Sequence, residues 1–68
     1  MNIKVGDLLQ FRESGALATV VEVRKDKGAE FINDYAMLLV SGKVHYKNPT
    51  CMTLTMIERT AEVVSYAS

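Results

Sequence analysis

"KVGDLLQFRESGALATVVEV", residues 4–23, decides the fold. Its apolar positions recur every second residue, and that period belongs to a strand, not a helix. In "DLLQFR" (7–12), Leu9 and Phe11 fall on one face and Leu8, Gln10 and Arg12 on the other. Gly6-Asp7 reads as a bend into this strand. "ESG" (13–15) is a turn, with Gly15 free to take positive φ. "ATVVEVRK" (18–25) is rich in β-branched residues, with Val21 and Val23 opposing Glu22 and Arg24.

Working outward, the same period persists. "DKGAEFIND" (26–34) is the one long loop, charged but carrying the apolar pair Phe31-Ile32. "YAMLLV" (35–40) is apolar on both faces, as suits a central strand or one whose second face is covered. Ser41-Gly42 predicts a tight hairpin to "KVHYK" (43–47), where Val44 and Tyr46 alternate with Lys43, His45 and Lys47. Asn48-Pro49 ends that strand, because proline has no N–H for a ladder. "CMTLTMIE" (51–58) alternates again, with residues 50–53 open to a single helical turn before it. "AEVVSYAS" (61–68) predicts a short last strand from Glu62 to Val64. No helix of normal length fits.

Several short strands separated by turn signals imply a sandwich or small barrel. At 68 residues the expectation is one domain, 1–68, all-β, a small five-stranded barrel of SH3 type. A chain this short buries only about 60% of its unfolded surface, so its stability margin is thin. One cysteine cannot form an internal disulfide, and one Cys with one His is half a zinc site. No cofactor is implied, and the expected compartment is reducing and cytoplasmic.

Eight basic residues balance eight acidic ones, which argues against a nucleic-acid binder, since such domains carry a basic excess. Apolar residues make up 49% of the chain, enough for some to face a partner or a second copy. No apolar run approaches the ~18 residues of a membrane span, and "MNIKVGD" has no signal-peptide core.

The opening stretch resembles SH3-like β-barrels of the KOW and Tudor-like kind. Those begin with a Val-Gly-Asp-hydrophobic strand, a turn, and a strand of Gly-x-Val-x-x-Val type. The likeness extends to very small proteins of tailed phages, with an apolar strand (Tyr35–Val40), a Gly hairpin (Ser41-Gly42) and an ending near Leu54–Glu58. It implies a five-stranded barrel and a phage-encoded protein, acting in the virion or the host cytoplasm. Ala18 stands where the family pattern favours glycine, and Val40 where an aromatic is usual. The hairpin is also a residue short. No aromatic-cage or proline-groove function carries over.

No catalytic constellation is present, and the chain reads as non-enzymatic. His45 and Cys51 are separated by a strand end and a proline turn; the reading is an exposed histidine and a small buried cysteine, not a nucleophile and its base. Two surfaces are candidates. Phe31, Ile32 and Tyr35 form the candidate contact surface for another protein or a second copy. Lys43, His45 and Lys47, with Lys25 and Lys27, form a basic face that is the alternative, a KOW-like nucleic-acid interface. The expected function is a protein–protein interaction module.

Overall fold

The computed structural model describes residues 2–25, 34–41 and 48–67. It is mostly β: strands β1 (Leu8–Phe11), β2 (Leu17–Arg24), β3 (Tyr35–Ser41), β4 (Thr50–Thr53) and β5 (Ala61–Ser65), with one helix, α1 (Leu54–Thr60), before β5. The strands form one open antiparallel sheet in the order β4-β3-β2-β1-β5.

The period-two reading holds in β1, where Leu9 and Phe11 are buried and Arg12 is exposed. The turn after it closes with Phe11 N–H donating to Ala16 C=O and Gly15 N–H to Phe11 C=O, both 2.8 Å. Gly15 sits at φ +74° there, where an L side chain is strained. The opening turn runs into β1 with Gly6 at φ +98°. Gly6 donates to the Val20 carbonyl, and the Asp7 carbonyl accepts from Val20, so this turn is sewn to β2.

β2 departs from simple alternation. Its register with β3 shifts between Val20 and Glu22, the mark of a bulge. Ala18 and Val20 point into the core, Val21 is turned outward, and Val23 comes back to pack against it. The expected pairing of Val21 with Val23 on one face is therefore corrected: one extra residue reverses the phase. Ala18 is fully buried between Leu9 of β1 and Val40 of β3.

β3 is an interior strand, with Ala36, Leu38 and Val40 buried. It is paired on both sides. One edge of β3 pairs with β2, and the other pairs Tyr35–Leu38 with Thr53–Thr50 of β4. Asn48 then bonds Val40 through its side chain. The predicted return arm 43–47 lies outside the described residues, along with Gly42.

The second correction is α1. The alternation over 51–58 stops at Thr53, and Leu54, Ile57 and Ala61 share a helical spacing that carries the burial instead. Thr53 is the N-cap: its hydroxyl accepts the Met56 N–H at 3.2 Å. At the other end the Arg12 guanidinium donates to the carbonyls of Glu58 and Arg59, and Arg12 N–H donates to Thr60 C=O at 2.9 Å. β4 and β5 are the outer strands, and α1 connects them while packing on both. Its Ile57 is completely buried, worth about 2–3 kcal/mol of apolar transfer. β5 then pairs with β1, Phe11 opposite Ala61 and Leu9 opposite Val63, close to the predicted last strand.

Candidate interaction face

The outward side of β3 is a row of apolar side chains, half-buried at Tyr35 and Met37 and exposed at Leu39. Tyr35, Met37 and Leu39 alternate with the buried Ala36, Leu38 and Val40, and Leu39 is 46% exposed. The register sets neighbours beside them: Thr19 next to Leu39, Glu22 and Cys51 flanking Met37, and Thr53 beside Tyr35. Leu17 and the bulged Val21 extend the face across β2, each 38% exposed. The two-sided apolar pattern of 35–40 thus has a structural meaning. One side builds the core, and the other is half-open.

Tyr35, predicted as a contact residue, lies on this face. Phe31 and Ile32 fall outside the described residues. Of the predicted basic set, Lys25 is exposed just after β2. Lys27, Lys43, His45 and Lys47 fall outside. Arg24, next to Lys25, is engaged: Glu22 accepts from its Nε at 2.6 Å. Glu22 above all, then Tyr35, holds this guanidinium more firmly protonated than usual. An exposed pair of this kind adds little stability, but it does spend the charge locally.

Cys51 is exposed, which corrects the expectation of a packed thiol. The β3–β4 register turns it outward beside Met37, with Met52 inward against the core. Among the described residues, no three His, Cys, Asp or Glu side chains gather into a metal site. An open cleft of about 280 Å³ lies between the β1–β2 turn, β4 and the end of α1, lined by Phe11, Glu13, Ser14, Met52 and Thr60. It sets the Ser14 and Thr60 hydroxyls near one carboxylate, Glu13.

Three residues that organise this scaffold were not singled out from sequence. Arg12 caps α1, and Asn48 completes the β3 ladder. Asp7 is a fully buried carboxylate. Its Oδ1 accepts the Ala67 N–H at 2.7 Å and its Oδ2 the Lys4 N–H at 3.0 Å. The Ala67 bond contributes most to holding its pKa below the ordinary 3.8; burial opposes this, and the Lys4 amide and charge assist it. The available signal was Gly-Asp directly before a strand, a setting in which Asp bonds nearby backbone.

Comparison with known proteins assigns no relative: no family model, curated protein or solved structure matches the chain.

Proposed function

We propose that this chain is a small SH3-like barrel that works by contact, a non-enzymatic protein–protein interaction module of the kind tailed phages encode, acting in the host cytoplasm or the virion. The strand order supports the barrel reading. The long, bulged β2 serves both β1 and β3, and the short helix joins the two outer strands, an arrangement that suits a five-stranded sheet closing into a small barrel.

The observation that carries the contact reading is the outward row Tyr35, Met37 and Leu39 on the interior strand β3. An apolar strand face left half-open fits a partner better than water. A chain with no net charge also lacks the self-repulsion that would keep such faces apart.

The test is the mass of the full chain as a function of concentration, together with recovery of a defined partner from lysate. The reading expects one or the other. A strictly monomeric chain with no partner overturns it. Retention on DNA or RNA that falls steeply with salt, and is lost in Lys25→Glu with Lys43→Glu, replaces it with the nucleic-acid reading on Lys25, Lys27, Lys43, His45 and Lys47.

A further inference from the structure

We infer that Asp7 is an acid-released latch that holds the end of β5 and the residues following it against the opening turn. The inference concerns a conformational device and stands independently of the contact function.

The geometry is a buried carboxylate whose two oxygens each face a backbone donor, Ala67 N–H at Oδ1 and Lys4 N–H at Oδ2. A proton placed on either oxygen removes its charge and one of its lone pairs, so the neutral acid accepts that oxygen's N–H more weakly. Burial leaves no water to make up the loss. The charge facing the group is that of Lys4, on its own turn. β2 meets this turn through the Val20 backbone, and the C-terminal segment meets it through the Ala67 backbone.

The two bonds differ in what they organise. Lys4 is three residues away, while Ala67 is sixty away. Losing the Ala67 bond frees the backbone that follows β5, which gains conformational entropy; losing the Lys4 bond frees little, because Asp7 N–H still holds the Lys4 carbonyl at 3.1 Å. Protonation therefore releases Ala67. The β1–β5 ladder favours a short opening, because a register irregularity between Leu8 and Leu9 separates the Leu8–Ser65 pair from the Leu9–Val63 pair. Before it, Val63 and Ala61 are packed on the core. Beyond it, the held segment displays Tyr66, 68% exposed. Gly6 fits this closure: a Cβ there would stand 3.1 Å from the Ala67 Cβ.

The experiment is an NMR titration of the full chain from about pH 7 to about pH 2, following the Asp7 carboxyl carbon, the Lys4 and Ala67 amides, and amide exchange. The expected result is a shared midpoint below the ordinary 3.8 for Asp7, Lys4 and Ala67. The Ala67 protection factor, the intrinsic exchange rate at each pH over the observed one, should be at least about tenfold higher above that midpoint than below it, with Val20 and Leu38 amides still protected. Deleting residues 67–68 should raise the Asp7 midpoint, and Asp7→Asn should abolish Ala67 protection. If Asp7→Asn does not fold, the wild-type titration and the deletion decide. An Ala67 amide unprotected near pH 7, an Asp7 midpoint unmoved by the deletion, or loss of Val20 and Leu38 protection together with Ala67 overturns the latch.

Discussion

Asn48 stands in for a strand residue opposite Val40: its Oδ1 accepts the Val40 N–H and its Nδ2 donates to the Val40 carbonyl, both at 2.8 Å. Leu38 pairs with Thr50, so the same register carried two residues on puts Asn48 across from Val40. A side-chain amide carries a carbonyl acceptor and an N–H donor side by side, as a strand backbone presents them, and so extends the ladder past Pro49.

Asn48→Asp tests this pairing. A carboxylate still accepts the Val40 N–H but meets the Val40 carbonyl with a second acceptor. The expected cost near neutral pH is about 1–2 kcal/mol, read as a lower urea midpoint at unchanged slope. Relative to wild type at the same pH, part of that cost should return in acid, where a protonated Asp can donate. An unchanged midpoint near neutral pH rules the pairing out.

The helix rests on a cap and an anchor. Thr53→Ala removes the acceptor of the Met56 N–H and should cost about 1 kcal/mol. Ile57→Ala opens a cavity at a completely buried position and should cost about 2–5 kcal/mol. On a domain of this size the second loss leaves little folded protein at ambient temperature. Circular dichroism during urea unfolding separates the two. Equal midpoints would mean that α1 does not pack as described.

How much of this was legible depends on the local period. β1 was readable because alternation and burial agree there, as Leu9 and Phe11 show, and β3 because a run apolar on both faces suits an interior strand. The helix was not, because Met52, Leu54 and Met56 alternate by chance across the strand-to-helix junction. The capping Thr53 and the Leu54–Ile57–Ala61 spacing were the competing signal. The bulge at Val21 was invisible, because a run of valines looks the same in either phase. Asn48 was read as a stop and Asp7 as a bend. Their roles come from bonds to residues that only the folded topology brings near.

Arg12 links β1 to the last turn of α1. Its guanidinium donates to Glu58 and Arg59 carbonyls at 3.3 and 3.0 Å, favouring a cation at the negative end of the helix. Arg12→Ala should cost about 1 kcal/mol, and Arg12→Lys less, because an ammonium keeps the charge. Hydrogen exchange at Thr60 and Ala61 should report the loss first. A stability equal to wild type in Arg12→Ala would show that the backbone bond from Arg12 to Thr60 suffices alone.

Asp7 makes the fold acid-sensitive in a defined direction. Its folded-state pKa lies below the unfolded value, so the unfolded chain binds the proton more readily. The stabilisation is fully present above the unfolded pKa, near 3.8, and is lost as pH falls through the lower folded value. Thermal midpoints of wild type should therefore drop across that window. Those of Asp7→Asn should start lower near neutral pH and fall less across it. Parallel curves for the two proteins would remove Asp7 from the account of acid unfolding.

Leu39→Lys separates the two functional readings at one position. Leu39 is 46% exposed and lies opposite Thr19 on the outward side of the sheet, so the change should alter stability by no more than about 0.5 kcal/mol. If the outward row of β3 is a contact face, a buried lysine ammonium at its centre is costly, and self-association or partner capture should fall at least about tenfold. If the chain instead binds nucleic acid, an added cation should leave retention unchanged or strengthen it. The same variant therefore moves the two measurements in opposite directions. Loss of partner capture in a protein with an unchanged urea midpoint locates the contact on Tyr35, Met37 and Leu39, while full retention of capture places it elsewhere.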